Sequence, residues 1–229
     1  MKKKPLLYLL PGLDGTGVLL EKFTIYARES FTPIIINYPE ESLNYEELSE
    51  YVIKQLPKNE KFSILGESFG GPLALNIALK KQKYIENVIL CATFLDNPNY
   101  SMYGFSSFAQ FIPLEYMPIE WFESFLFTYR DDEIERKEFK KVFNSVPSYV
   151  IKNRMDQAFK ARTPEKITSF KKPIIYLMGK HDLLILNHNY ERLKQFIPHL
   201  DKVELDTGHM VLQTKPKECA KIIENFILN

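Results

Sequence analysis

The stretch that decides the fold is Phe62-Ser63-Ile64-Leu65-Gly66-Glu67-Ser68-Phe69-Gly70-Gly71. An apolar run, Phe62 to Leu65, ends in a GxSxG pentapeptide, Gly66 to Gly70, and a helix-like segment follows from Gly71 to Lys81. A strand that turns at once into a helix forces the residue at the turn into a strained conformation and stands its hydroxyl above the sheet edge. Side chains at the flanking positions would collide with the neighbouring strand, so glycine is a steric requirement there, and Gly70 and Gly71 let the helix N-terminus approach closely. Ser68 is therefore the candidate nucleophile. Serine beside glycine also serves as an ordinary turn or helix N-cap. The two readings separate on whether the chain also supplies an imidazole to take the hydroxyl proton and a carboxylate to hold that imidazole in one tautomer.

Outward from the pentapeptide, short apolar runs alternate with amphipathic segments. The runs are Leu6 to Leu10, Ile34 to Asn37, Phe62 to Leu65, Val88 to Cys91, Ile174 to Met178 and Val203 to Leu205. Near-continuous apolar runs of this length suit strands buried on both faces of a parallel sheet. Between them the spacing predicts helices over Gly17 to Glu29, Tyr45 to Leu56, Gly71 to Lys81, Asn189 to Ile197 and Pro216 to Leu228. Leu48, Val52 and Leu56, for example, recur at helical spacing opposite Glu47, Glu50 and Lys54. Such repeated units predict an α/β doubly wound sheet with functional loops at the carboxyl ends of its strands.

Residues 95–165 break this alternation. They carry Tyr100, Tyr103, Phe105, Phe108, Phe111, Tyr116, Trp121, Phe122, Phe125, Phe127 and Tyr129, then a charged stretch from Arg130 to Lys141. A structureless loop of that length is implausible inside a compact domain, so a helical insertion is expected, with residues 1–94 and 166–229 forming the core. Its aromatics are expected in part to build the insertion's own small core and in part to shape an apolar cleft over the strand ends, with Phe108, Phe111, Trp121 and Phe122 as candidate substrate-binding residues. Lys152, Arg154, Lys160 and Arg162 could attract an acidic carrier or acyl carboxylate; a solvated helix face is the simpler reading.

Beyond the insertion, Ile174 to Met178 leads into Gly179-Lys180-His181-Asp182, and Val203 to Leu205 into Asp206-Thr207-Gly208-His209-Met210-Val211. Asp182 is the candidate acid, on a turn introduced by a glycine three residues earlier. Asp96, after the fourth run, is its rival. His209, after the last run, is the candidate general base. His181, His188 and His199 read as solvated or structural, and Glu67 as a loop hydrogen-bonding group. The order Ser, Asp, His along the chain is the one expected of a nucleophile elbow in such a sheet.

Over residues 5 to 229 the chain resembles the α/β-hydrolase superfamily. Leu10-Pro11-Gly12-Leu13-Asp14-Gly15-Thr16-Gly17 resembles the family's oxyanion loop, Gly66 to Gly71 its elbow, Gly179 to Asp182 its acid turn and Gly208-His209 its histidine loop. Within that superfamily it is most similar to small capped carboxylesterases, such as the bacterial enzymes that demethylate pimeloyl-carrier-protein methyl ester in biotin synthesis. The resemblance implies an α/β-hydrolase fold with about six mostly parallel strands, the first one or two of larger relatives being absent, and a helical cap. It implies a serine carboxylesterase acting on a small or medium acyl ester, free or carrier-bound, with the backbone N–H groups of Leu13 and Phe69 as oxyanion donors. A thioesterase or acyltransferase, or a binding protein that keeps the fold without catalysis, are the alternatives. Where many relatives have His-Gly the chain has Pro11-Gly12, so no side chain there can brace the oxyanion loop.

The chain has 229 residues, 45% hydrophobic and 26% charged, with a formal net charge of +1, a balance that points to neither nucleic acid nor a membrane surface. Met1-Lys2-Lys3-Lys4 before Leu6 to Leu10 imitates a signal peptide, but Pro11 breaks the short run and no small-residue cleavage site follows. A first core strand and a cytoplasmic protein are expected, without a membrane span. Cys91 and Cys219 have neither metal-ligand spacing nor disulfide density, so buried free thiols are expected and no metal or organic cofactor is implied. Nothing in the sequence specifies the oligomeric state.

Overall fold

The computed structural model describes residues 3–96, 119–128 and 133–228. Its centre is a sheet of six strands: β1 (Leu6–Leu10), β2 (Thr32–Ile35), β3 (Phe62–Glu67), β4 (Ile85–Cys91), β5 (Ile174–Gly179) and β6 (Asp201–Leu205). They lie in the order β2-β1-β3-β4-β5-β6, every pair parallel. All six expected strands are present, β2 beginning two residues earlier than its apolar run because Thr32 and Pro33 pair with Leu6 and Leu7.

Side chains alternate across the pleat, so β1, β3, β4 and β5 each feed two cores. Leu7, Leu9, Leu65, Ile89, Ile175 and Leu177 pack on one face beneath α1 (Glu21–Ala27) and, later in the chain, a helix over Pro216–Leu228. Tyr8, Leu10, Ile64, Val88, Leu90, Ile174 and Tyr176 pack on the other, beneath α2 (Tyr45–Ile53), α3 (Gly70–Lys80) and a helix over Asn187–Phe196. Burial on both faces is why these runs lack polar alternation. α2 starts sharply because Asn44 closes a capping box: its side chain accepts from the N–H groups of Glu46 and Glu47, while Glu47 accepts from the Asn44 N–H.

The insertion contributes α4 (Ile119–Leu126), α5 (Glu133–Ser145) and α6 (Ser148–Lys160). The remaining helices are α7 (Asn187–Phe196), the short α8 (Val211–Thr214) and α9 (Pro216–Leu228). Among the described residues, no helix is long and apolar enough to cross a membrane. Cys91 and Cys219 are buried and unbridged.

Strand order decides where chemistry can sit. The chain goes from β1 outward to β2, then crosses back to β3 on β1's other side, so the loops leaving β1 and β3 diverge and open a crevice at the carboxyl end of the sheet. The segment after β1 and the turn after β3 border that crevice, and the loops after β5 and β6 lie on the same edge.

Candidate active site

Ser68 occupies the turn between β3 and α3 with φ of 47°, in the left-handed region that a residue with a Cβ enters only at a cost of about 1–3 kcal/mol. The surroundings over-determine this turn. The Ser68 N–H donates to the Cys91 carbonyl (2.9 Å), and its own carbonyl accepts from the Gly71 N–H (3.0 Å) and from the Thr93 hydroxyl. The close packing expected of the glycines is realised: a Cβ on Gly70 would stand 2.5 Å from the Leu10 carbonyl oxygen and 2.7 Å from that of Pro11, and one on Gly71 would overlap Thr93. Phe69 is buried, stacked on Tyr45 at 4.8 Å and meeting Tyr38 edge-on at 6.1 Å, while the Tyr45 hydroxyl donates to its carbonyl.

The structure brings Ser68, His209 and Asp182 together. His209 Nε2 lies 3.0 Å from Ser68 Oγ, and His209 Nδ1 lies 2.8 Å from Asp182 Oδ2. The second Asp182 oxygen accepts the N–H groups of Leu184 and Ile185, both at 2.8 Å, so the carboxylate is anchored at both ends. A carboxylate on Nδ1 favours the neutral tautomer with its proton there, which leaves the Nε2 lone pair facing the serine hydroxyl. The Asp182 side chain is 0% exposed and that of His209 4%. Burial works against the imidazolium of His209, but the Asp182 charge and hydrogen bond, joined by Glu67, outweigh it and raise the pKa above the histidine value of 6.5. The rival acid, Asp96, points elsewhere: its carboxylate holds the Thr163 hydroxyl (2.6 Å) and the Arg192 guanidinium (3.0 Å).

The loop after β1 lies against the serine. A Cβ built on Gly12 would be 3.8 Å from the Ser68 Cβ. The Gly12 carbonyl accepts from the Gly15 N–H (3.2 Å), and the Leu13 N–H, in the same trans peptide plane, points the opposite way from that carbonyl. The Phe69 N–H is opposed in the same way to the engaged Ser68 carbonyl.

Glu67, beside the serine, is buried and accepts a hydrogen bond from Gln213 Nε2 (2.9 Å). Desolvation dominates its titration, opposed by the Gln213 hydrogen bond and reinforced by Asp14, and pushes its pKa to about 7. The expected hydrogen bond is present, but Glu67 is the buried last residue of β3 rather than part of a loop. His181 contacts Asp206, His188 contacts Asn189 and His199 contacts the Lys172 carbonyl, all away from the serine.

Arg154 requires a correction. Lys152, Lys160 and Arg162 are exposed, as a solvated face demands, whereas Arg154 is only 3% exposed, its guanidinium turned into the protein. The missed signal was positional: Arg154 follows the buried Val150 by four residues and Ile151 by three, on the apolar stripe of α6. Phe108 and Phe111 lie outside the described residues, as do the side chains of Trp121 and Phe122, whose backbone belongs to α4. Among the described residues, no group of three or more His, Cys, Asp or Glu gathers as a metal site would require.

A family model described as alpha/beta hydrolase fold matches residues 28–216. The chain belongs to the alpha/beta hydrolase family. Solved structures of similar fold include a hydrolase from Oleispira antarctica, with a TM-score of 0.84 at 12% identity over 100% of this chain and 92% of that one. A lipase-esterase related protein from Clostridium acetobutylicum gives a TM-score of 0.82 at 16% identity, over 99% of this chain and 96% of that one. The enol-lactonase from Burkholderia xenovorans gives 0.81 at 19% identity, over 100% and 93%. No curated protein sequence matches the chain. At these identities the likeness is one of fold, and the particular chemistry of this alpha/beta hydrolase has to be argued from its site.

Proposed function

We propose that this alpha/beta hydrolase is a serine carboxylesterase for small or medium acyl esters, with Ser68 as nucleophile, His209 as general base and acid, and Asp182 as the group that orients the imidazole. The observation that carries the reading is the continuous Ser68–His209–Asp182 hydrogen-bonded relay, at 3.0 and 2.8 Å, on a serine in strained backbone. A residue that only capped a helix would need neither the buried imidazole nor the buried carboxylate behind it.

In the proposed reaction Ser68 Oγ attacks the acyl carbonyl as His209 Nε2 takes its proton. Charge moves to the carbonyl oxygen, where the N–H groups of Leu13 and Phe69 receive it, each donor worth about 3 kcal/mol in comparable sites. When the tetrahedral species collapses, the ester C–O bond breaks and the alcohol departs with the proton held on His209. Water, deprotonated by the same imidazole, then releases the acid and restores Ser68. An esterase, a lipase-esterase related protein and an enol-lactonase among the similar structures fit ester chemistry, while a bromoperoxidase from Bacillus anthracis with a TM-score of 0.80 and 15% identity shows that the fold alone does not select it. A carrier-protein methyl ester is the substrate suggested by the resemblance in sequence.

Hydrolysis of p-nitrophenyl acyl esters tests the reading. Ser68→Ala and His209→Ala should each lower kcat by about 10⁴-fold or more while leaving the fold intact by circular dichroism. Undiminished turnover in both purified variants would exclude this relay.

A further inference from the structure

The loop from Pro11 to Gly15 is held through its carbonyls. Tyr38 supplies two of the contacts, its hydroxyl donating to Pro11 (2.9 Å) and its N–H accepted by Gly15 (2.8 Å), and the Gly12 carbonyl takes the Gly15 N–H. The two remaining carbonyls, Leu13 and Asp14, both accept from one nitrogen of Arg154, at 3.0 and 2.5 Å. Its other terminal nitrogen donates to the Pro39 carbonyl (3.0 Å), and the guanidinium lies 5.5 Å from the Tyr38 ring centroid. The loop is shaped to admit this side chain. Gly15, at φ of 66°, comes so close that a Cβ there would stand 2.5 Å from the same Arg154 nitrogen and 2.7 Å from Tyr38.

We propose that Arg154 is a positioning residue which, from α6 of the insertion, sets the geometry of the oxyanion loop that no side chain at Pro11 or Gly12 can brace. This rests on the reading of Leu13 as an oxyanion donor. Fixing the carbonyls of Leu13 and Asp14 restrains the two peptide planes that follow the plane carrying the Leu13 N–H, and the Gly12–Gly15 turn restrains that plane itself. An oxyanion donor is useful only when its direction is set before charge develops, so a guanidinium that touches no substrate atom controls the chemical step through the loop. The planar fork suits this task, because one rigid group reaches three carbonyls that an ammonium cannot span. The insertion thereby contributes to the site through a buried side chain of α6.

The test compares wild type, Arg154→Met, Arg154→Lys and Arg154→Ala by ester kinetics and by hydrogen–deuterium exchange of the peptide covering residues 11–17. Arg154→Met should lower kcat about 10- to 100-fold with KM held within about twofold, and exchange should accelerate in residues 11–17 but not in the central strands. Arg154→Lys should recover only part of the loss, and guanidinium ion should restore part of the turnover of Arg154→Ala. Wild-type kcat and wild-type exchange in a folded Arg154→Met protein overturn the proposal, as does exchange that rises evenly through the sheet. Should Arg154→Met not fold, Arg154→Lys with full wild-type kcat and exchange overturns it equally. A wild-type protein that hydrolyses no ester overturns the esterase reading instead, and the exchange of residues 11–17 then decides alone whether Arg154 holds the loop.

Discussion

His209 is the residue on which the proposed chemistry turns, because it must be neutral to accept a proton and charged a moment later. Burial penalises the charged form, yet Asp182, hydrogen-bonded to Nδ1, more than compensates, so the pKa lies above 6.5. The sign follows: the acid limb of kcat/KM should sit above pH 6.5, with activity rising as pH rises through it. Asp182→Asn removes both the charge and the correct tautomer, so the limb should move to lower pH while kcat falls about 10⁴-fold. A pH–rate profile of the two proteins checks this, and an unmoved limb would mean that Asp182 does not set the imidazole's titration. Ser68 and His209 were legible as candidates because glycine and a post-strand histidine leave a local trace. Arg154 was not, since a long cation reads as a solvated residue until its partners, carbonyls 140 and 141 positions away, come into view.

Among the elements, the start of α2 is governed by local chemistry and can be tested locally. Asn44 accepts two backbone N–H groups at the start of α2, and Glu47 returns the contact. Asn44→Ala should therefore cost about 1 kcal/mol, read as a lower urea midpoint with an unchanged slope. The start of α3 obeys a different rule: it has no side-chain cap, and Gly70 is demanded by the carbonyls of Leu10 and Pro11 where the chain leaves β1. That demand joins two elements sixty residues apart in sequence, so the glycines were legible as a requirement while the atoms imposing it were not. The histidine loop shows the same dependence, the His209 N–H donating to the Leu126 carbonyl at the end of α4 (2.9 Å).

At the scale of the whole molecule, the insertion grips the core at two loops of the site: Arg154 on the loop after β1 and Leu126 on the loop after β6. Glu67 lies in the interior between those loops, linked through Gln213 to α8, and its burial makes global stability depend on pH. A carboxyl raised from 4.5 to about 7 retains in the folded state a proton that the unfolded chain has released. Its contribution is therefore greatest below about pH 4.5, declines as pH rises, and is lost above about pH 7, a change of order 3 kcal/mol. His209, also raised, acts in the same direction. Glu67→Gln should remove the first effect and keep the second, and the introduced amide could donate to Gln213 Oε1, which lacks a partner among the described residues. Relative to wild type, the variant should gain stability between pH 4.5 and 8 in urea titrations. A difference that does not vary with pH would show that Glu67 is not protonated in the folded protein.

The sequence by itself determined the order of strands and helices along the chain, the parallel sheet, and the strand-to-helix turn that lifts Ser68, because hydrophobic periodicity and glycine sterics act over a few residues and leave their pattern there. Only the tertiary structure decided that Asp182 rather than Asp96 faces His209, that Glu67 is interior, and that Arg154 is turned inward onto the loop after β1. Those outcomes depend on which distant groups compete for one charge or one carbonyl, and desolvation settles that competition only after the sheet has brought its loops to a common edge.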